Sequence, residues 1–266
     1  MRLSKEADLS EKEEAMWRGV IPAVTTKFNE DFSLDHAEME RCFALQMDAG
    51  CHGLIACGTL GEGNMLSHEE RIDVLRLCKS ATGDKPALLT ISEAGTREAC
   101  DLAKIGYRVD ITPEMMVELA EEPLFVAIKE SSDDIRRATE IFNMLGDRYD
   151  VLTGVDNLAY EALAVGAVGW VAGLVVAFPR ETVAIYELMQ QNRHAEALKI
   201  YRWFRPLLDL DVSTYLVQQI KLAELIEINS NDRVRMPRQP LKGDHRARVE
   251  RIIRDAIACR PDLPQY

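Results

Sequence analysis

The chain has few aromatic residues and fewer basic than acidic ones, and its charge excludes two classes of partner. Aromatic residues make up 6% of the 266 positions, against 47% for hydrophobic residues as a whole. This composition is that of a folded chain with one large core or two modest ones. The 32 basic residues are outnumbered by 44 acidic ones, giving a net charge of −12. Because an acidic surface attracts neither nucleic acid nor an anionic membrane, we expect a small-molecule substrate and neither of those partners.

The sequence also lacks a long apolar run, a cysteine pair and a metal-binding spacing. No apolar run approaches the ~20 residues that span a bilayer, and the first sixteen residues are charged where a signal peptide would be apolar. The six cysteines form no C-x-x-C pair, which predicts reduced core thiols in a cytoplasmic protein. The five histidines show no metal-ligand spacing, so we predict no metal site. We also expect no cofactor. The cysteines are Cys42, Cys51, Cys57, Cys78, Cys100 and Cys259.

Strand-like and helix-like segments alternate along most of the chain, which is typical of a parallel sheet covered by helices. Predicted strands lie at residues 19–28, 53–57, 86–91, 124–129, 149–153 and 169–174. Predicted helices lie at residues 34–49, from 67, 96–104, from 112, 135–145 and 158–165. After residue 180 only helices follow, at 181–191, 194–210, 214–226 and 245–258.

The alternation breaks between the third and fourth predicted strands. The segment 107–111 leads directly into a helix that Thr112 caps, with Pro113 at its first position. A closed barrel of this type needs eight strands, and six are visible. We therefore predict an α/β fold, a TIM-type (β/α) barrel that lacks two of its eight strands and carries a C-terminal helical extension. The predicted regions are an N-terminal extension 1–16, an incomplete barrel 17–180 and a helical region 181–266.

Two apolar segments, FVAIKESS and LIACGTLGEG, end abruptly in polar residues. The C-terminal ends of barrel strands face the active site, so Lys129 and the turn at Gly58, Thr59 and Gly61 are expected to lie together. A lysine among apolar residues loses its charge more readily and can attack a ketone. The alternative for Lys129 is a surface ion pair with a neighbouring carboxylate. The turn could hold a carboxylate on its N–H groups, or could simply join a strand to a helix.

The AIKESS lysine, the GTLGE turn, the GVDNLA turn at 154–159 and the helical tail together resemble the dihydrodipicolinate synthase and N-acetylneuraminate lyase family from about Trp17 onward. The resemblance implies a homo-oligomeric barrel, tetrameric or dimeric, that binds a 2-oxo acid such as pyruvate as a Schiff base. Lys129 takes the place of the Schiff-base lysine on the sixth strand. The resemblance further implies that Gly58 and Thr59 hold the substrate carboxylate. The other implied substrate-binding positions are Leu60, Gly154, Asp156 and Gly173.

The sequence departs from that family in two places. Leu60 stands where many members have a second hydroxyl, which removes one proton relay and points away from the synthase branch. The family's fourth and fifth strands, with the tyrosine that relays protons to the Schiff base, have no counterpart here. Ile105 and Tyr107 lie at the join, where roughly 40 to 50 residues of the family pattern are missing. Losing the relay would cost about 10² to 10⁴-fold in rate, so we expect residual or absent activity.

Several alternatives remain open from the sequence. The barrel could close with six strands, stay open, or be completed in an oligomer. The protein could be a Schiff-base lyase, dehydratase or deaminase, a non-catalytic relative, or a truncated or spliced form of an ordinary enzyme. Within the enzymes, Leu60, the YRVDITPE segment and the RMPRQPL run at 235–241 look most like the branch that deaminates pyrroline-4-hydroxy-2-carboxylate.

Overall fold

A computed structural model describes residues 17–90, 112–121 and 125–266. All six predicted strands are present in those residues, in the predicted order. The predicted helix at 96–104, the segment 107–111 and the join at Ile105 and Tyr107 lie outside the described residues. The strands are β1 Gly19–Pro22, β2 Leu54–Ala56, β3 Ala87–Leu89, β4 Ala127–Glu130, β5 Asp150–Thr153 and β6 Gly169–Ala172.

All pairings between these strands are parallel. One sheet has the order β1-β6-β5-β4, and β2 pairs with β3. A parallel bridge between Ala23 and Ile55 joins the two groups, with the Val24 N–H donating to the Ile55 carbonyl at 2.9 Å. The strands therefore follow one another as β3-β2-β1-β6-β5-β4. Among the described residues, β3 and β4 are the two edges of an incomplete barrel, as predicted.

The two edge strands still face a common interior. Ile21, Leu152 and Val171 form its buried centre. Leu88 of β3 and Ala127 of β4 pack against that centre from opposite sides. These residues line a cavity of about 220 Å³, to which each of the six strands contributes a side chain. The inward-facing side chains thus form one apolar interior, although no described residue hydrogen-bonds β3 to β4.

The helices agree with the sequence in type, and two of them begin with side-chain caps, of which that at Thr112 was predicted. Ser67 and Glu70 form a capping box at the first turn of the second described helix. Thr112 accepts from the Met115 N–H at the start of the third, with Pro113 in its first turn. The helices are α1 His36–Asp48, α2 His68–Thr82, α3 Pro113–Leu119, α4 Ile135–Leu145, α5 Ala159–Ala164, α6 Pro179–Gln190, α7 His194–Leu208, α8 Leu216–Glu227 and α9 Gly243–Ala258.

The first strand is shorter than its apolar sequence predicts. It ends at Pro22, whereas the pattern extends to Phe28. The difference arises because the next side chains bond to other elements. Thr26 donates to the Gly61 carbonyl at 2.6 Å, and Phe28 forms an antiparallel bridge with Leu34. The chain beyond β1 therefore leaves the sheet and packs under the turn that follows β2.

The largest core cluster joins the barrel to the C-terminal helices. Trp170 of β6, Phe178, and Phe204 of α7 are all within 1% of complete burial and belong to one cluster. The cluster continues into α8 and α9 through Ile220 and Ile253. The predicted boundary at residue 180 falls within α6, and the division of the chain into three regions stays a proposal. Residues 1–16 lie outside the described residues.

Candidate active site

Lys129 lies at the C-terminal end of β4, paired in register with Leu152 of β5. Its side chain lines the apolar cavity inside the strands and a second cavity of about 230 Å³ between α3, β4 and β5. The alternative of a surface ion pair is not found. Among the described residues, no carboxylate lies within ion-pair distance of the Lys129 ammonium, while Glu130 and Asp134 accept from Ser132 and Arg136.

The expected burial of Lys129 is wrong for the isolated chain. The residue is exposed, although Ile128 beside it is buried. The reason is topological. β4 ends the four-stranded sheet, and no described strand pairs with its other edge. The lysine is thus correctly placed at a strand end, but water reaches it from the open side.

Gly154, which follows β5, provides the surface on which the Lys129 side chain lies. A Cβ atom at residue 154 would meet Lys129 Cε and Ser131 Oγ, and would lie 2.8 Å from Lys129 Cγ. The Gly154 N–H donates to the Glu130 carbonyl at 2.7 Å, which extends the pairing of β4 and β5 beyond the strands. The absence of a side chain at 154 therefore lets the lysine and Ser131 converge.

We expect Gly154→Ala to displace Lys129 with little loss of stability. The new methyl would collide with the flexible end of a side chain, which can move, and not with backbone. Thermal unfolding should stay within a few degrees of the parent, while reductive trapping of a 2-oxo acid on the lysine falls strongly. Equal trapping by Gly154→Ala and the parent would show that this contact does not position the amine. Gly146→Ala would be a poor control because Gly146 has a positive φ of 58°.

Asp156 is fully buried and is held by three donors. Its carboxylate accepts from Trp170 Nε1 at 2.9 Å, from the Gly173 N–H at 3.2 Å and from the Leu174 N–H at 2.7 Å. Burial raises the pKa of Asp156, whereas these donors and the nearby Lys129 charge lower it. The carboxylate thus ties the end of β5 to the end of β6. It does not cap α5, the helix that begins at Ala159.

Asp211, in the connection between α7 and α8, brings a second carboxyl group to the same strand ends. Its carboxyl lies against Gly173, where a Cβ atom would lie 2.8 Å from Asp211 Cγ. Burial raises the pKa of Asp211 well above its usual value, the Asp156 charge raises it further, and the Lys129 charge lowers it. No hydrogen bond to this carboxyl occurs among the described residues. The carboxyl groups of Asp156 and Asp211 therefore both lie against Gly173, at the end of β6.

The raised pKa of Asp211 predicts how stability changes with pH. The folded chain holds this proton to higher pH than the unfolded chain, so stability is lost as pH rises from about 4 toward the raised pKa. Asp211→Asn cannot ionise and should remove this loss. We expect the variant and parent to unfold at similar temperatures near pH 4, and the variant to become the more stable of the two near pH 8. A constant difference across that range would contradict the assignment.

Three N–H groups in the turn after β2 have no hydrogen-bond acceptor among the described residues. The N–H groups of Glu62 and Gly63 bond within the turn, to the carbonyls of Thr59 and Gly58 at 3.1 Å. The N–H groups of Gly58, Thr59 and Leu60 have no acceptor in the part of the chain that the structure describes. Thr59 is exposed, as a substrate contact requires. The Leu60 side chain, by contrast, is buried in the main core cluster, so only its backbone faces this turn.

Four buried charges fix that turn to the C-terminal helices. Glu62 pairs with Lys221 at 2.5 Å, and Lys27 pairs with Glu224 at 2.7 Å, all four side chains being fully buried. Glu62 also accepts from the Arg235 N–H at 3.0 Å. Burial lowers the pKa of Lys221 to about 8 although Glu62 opposes the shift. Glu62 therefore packs the turn against α8, and the RMPRQPL run helps to hold it through the Arg235 N–H.

Sequence reasoning missed Asp211 and the buried lysines. Asp211 lies in an apolar stretch, LLDLDV, and that position gives no sign of its contact with Gly173. Lys221 and Glu224 were more accessible to prediction. They lie three residues apart on one face of α8, a helix in which eight residues from Val217 to Glu224 are buried. A charge pair inside such a helix indicates ionic partners elsewhere in the core.

No group of histidine, cysteine, aspartate and glutamate residues in the described part of the chain could hold a metal ion. Of the helices in these residues, none is both long and apolar enough to cross a bilayer. Five of the six cysteines are described, and all five are free thiols. Cys100 lies outside the described residues.

These features define an incomplete parallel (β/α) barrel in which a lysine at the end of β4 packs against Gly154. The family model described as the dihydrodipicolinate synthetase family matches residues 16–109 and 105–256. The chain belongs to this family. The two matched ranges overlap at residues 105–109, where the sequence predicts a break in the alternation of strands and helices.

Curated relatives cover nearly the whole chain. The 4-hydroxy-tetrahydrodipicolinate synthase of Methanothrix thermoacetophila is 26% identical over 294 positions, which cover 93% of this chain and 98% of the relative. That of Natronomonas pharaonis is 26% identical over 286 positions, covering 89% and 97%. The first alignment includes 93% of the 266 residues of this chain, or about 247 residues. About 47 of its 294 positions therefore have no residue in this chain. This agrees with the predicted internal loss.

Solved structures confirm the fold. Dihydrodipicolinate synthase from Aquifex aeolicus superposes with a TM-score of 0.78 at 21% identity, covering 90% of this chain and 97% of that chain. A monomeric dihydrodipicolinate synthase variant gives 0.74 at 20% identity, covering 92% and 97%. The described strands are therefore those of a TIM-type barrel from this family.

Proposed function

We propose that this protein is a Schiff-base-forming lyase that binds a 2-oxo acid through Lys129. The observation that carries the proposal is the lysine itself. It lies at a strand end, lines the interior cavity and packs against Gly154. It has no ion-pair partner among the described residues. Membership of a family whose curated relatives are synthases supports the same class.

The proposed chemistry needs no cofactor, because the iminium ion withdraws electrons from the neighbouring carbon. The Lys129 amine adds to the ketone of the substrate, and loss of water gives the iminium ion. The N–H groups of Gly58, Thr59 and Leu60, which have no acceptor among the described residues, hold the substrate carboxylate. The small Gly154 leaves room for the amine and substrate to meet. The assignments of Gly173 and Asp156 as substrate contacts stay predictions, since Asp156 is already bound by three donors.

Reductive trapping tests this proposal. The full chain is incubated with pyruvate and borohydride, and its intact mass is compared with that of Lys129→Ala treated identically. We expect one reduced pyruvate adduct on the parent and none on the variant. A folded parent protein that forms no adduct would contradict the proposed function.

Within this family, we further propose that the protein belongs to the deaminase branch. Such an enzyme would open the ring of pyrroline-4-hydroxy-2-carboxylate with one water molecule. The products are 2,5-dioxopentanoate and ammonia, and nothing is oxidised or reduced overall. The burial of Leu60 supports this assignment, since no hydroxyl stands there to relay protons. Ammonia release from this substrate, absent in Lys129→Ala, would support the branch. Trapping by pyruvate without ammonia release would place the protein elsewhere in the family.

A second candidate is a non-catalytic relative that keeps the 2-oxo acid pocket. The exposure of Lys129 favours it, because water competes at an open site. This candidate predicts an adduct with pyruvate but no conversion of any family substrate. We also propose a homo-oligomer, dimer or tetramer, in which the exposed Phe125 and Val126 beside β4 are covered. Light scattering on the purified chain measures this directly. The predicted cytoplasmic location stays a prediction.

A further inference from the structure

The turn after β2 offers one exposed side-chain hydroxyl of its own, that of Thr59. Leu60, the next residue, contributes only its backbone, because its side chain is buried in the main core cluster. A second hydroxyl reaches the turn from the neighbouring strand. Thr90 directly follows β3, and its Oγ1 atom lies 3.4 Å from where a Cβ atom on Gly58 would stand. Because Gly58 has no side chain, it leaves this hydroxyl uncovered.

The sheet fixes the place and direction of Thr90. β2 and β3 pair in parallel, and the Thr90 N–H continues this pairing by donating to the Ala56 carbonyl at 2.9 Å. Side chains alternate between the two faces of a strand, so Thr90 and Leu88 share one face of β3. Leu88 lines the interior cavity of about 220 Å³ together with Lys129. The Thr90 hydroxyl therefore lies above that cavity, at the carboxyl ends of the strands.

The hydroxyl is available to a ligand. Thr90 is partly exposed, and its Oγ1 atom has no hydrogen-bond partner in residues 17–90, 112–121 and 125–266. The N–H groups of Gly58, Thr59 and Leu60 beside it also lack acceptors within those ranges. A group that satisfies a hydroxyl and several N–H donors together must present acceptor oxygens, as a carboxylate does.

We propose that Thr90 binds the carboxylate of the 2-oxo acid, donating a hydrogen bond from its hydroxyl while the turn donates from its N–H groups. The inference rests on the proposed function, because it concerns the substrate that Lys129 binds. It assigns a residue of the edge strand β3 to the site. It also makes the ionised carboxylate a determinant of specificity, since a hydrogen bond to a charged oxygen is about twice as strong as one to a neutral oxygen.

The test compares pyruvate with pyruvamide, which keeps the ketone but has no ionised carboxylate. Each is titrated against the full chain, and intact mass gives the concentration for half-maximal reductive trapping. Thr90→Val removes the hydroxyl at nearly constant volume and should raise this concentration for pyruvate by about 10- to 100-fold. The rise for pyruvamide should be at least ~3-fold smaller. Thr90→Ser, which keeps a hydroxyl, should stay within about threefold of the parent for pyruvate.

A second variant acts on the same hydroxyl from the turn. Gly58→Ala would place a methyl group in ordinary contact with Thr90 Oγ1, at a residue without a positive φ, so the chain should still fold. Its effect on pyruvate trapping should not add to that of Thr90→Val, since both changes remove one interaction. Thr139→Val is the matched control, because Thr139 is exposed on α4, and it should behave as the parent does. Circular dichroism shows that each variant is folded.

The outcomes separate this inference from the proposed function. A folded parent that forms no pyruvate adduct contradicts the proposed function and with it the inference. If the parent forms the adduct and Thr90→Val traps pyruvate within about twofold of it, the inference alone is contradicted. Equal rises for pyruvate and pyruvamide in Thr90→Val, additive effects of Thr90→Val and Gly58→Ala, or a Thr90→Ser protein as weak as Thr90→Val also overturn it. The side chain would then act only through packing.

Discussion

Lys129→Ala is expected to abolish both the pyruvate adduct and any turnover, with a fall in rate of at least ~10³-fold, because the covalent route is lost with the nucleophile. Lys129→Arg should fail equally. A guanidinium keeps the charge and much of the length but cannot add to a ketone. The measurement is the rate of exchange of the pyruvate C3 protons or of product release, with the adduct followed by intact mass. Stability should change little, since Lys129 is exposed and has no ion-pair partner in the described residues.

Lys199→Ala is the matched control for this experiment. Lys199 is also exposed and lies on α7, not on a strand. We expect the control to retain the adduct and the rate of the parent. A Lys129→Ala protein that still forms a stoichiometric adduct would show that another lysine carries the chemistry.

Lys221→Met is expected to produce the largest loss of stability among single changes in the buried charge cluster. It would leave the fully buried Glu62 without its 2.5 Å partner and the Arg233 carbonyl without its donor. Breaking a buried ion pair from one side costs about 3–5 kcal/mol, because the remaining charge stays desolvated. Arg238, 3.6 Å from Glu62, compensates only partly. The free energy of unfolding in urea gives the value.

The double variant Lys221→Met/Glu62→Gln tests the cause. Its glutamine can still accept from the Arg235 N–H, and no unpaired charge remains at this pair. We expect it to be more stable than Lys221→Met alone, since the penalty comes from the isolated carboxylate and not from the lost methylene packing. If the double variant is as unstable as the sum of the two single variants, the ion pair is not the source of the loss.

The sequence predicts the position of Lys129 but not its exposure, and the difference has a physical cause. Apolar residues before Lys129 and polar ones after it are a local signal that a strand ends there. Exposure depends on whether another strand covers the free edge of β4, which is a property of the missing segment and not of the local pattern. The six strands, the helix caps at Ser67 and Thr112 and the incomplete barrel are predictable for the same reason, since each is encoded by adjacent residues.

Asp211 and the buried lysines escaped prediction because their partners are distant in sequence. Asp211 is 38 residues beyond Gly173, and Lys221 is 159 residues beyond Glu62. Nothing in the local pattern around Asp211 distinguishes it from the exposed Asp209 two residues earlier. Such contacts follow from how the C-terminal helices pack on the strand ends. The core cluster that joins Trp170 to Phe204 fixes that packing.

The most direct test of the account is to map the borohydride-reduced pyruvate adduct by peptide mass spectrometry of the folded parent chain. We predict a single modified site, Lys129, with Lys27, Lys85 and Lys221 unmodified. An adduct on any of those lysines in place of Lys129, or no adduct at all on a protein that circular dichroism shows to be folded, would contradict it.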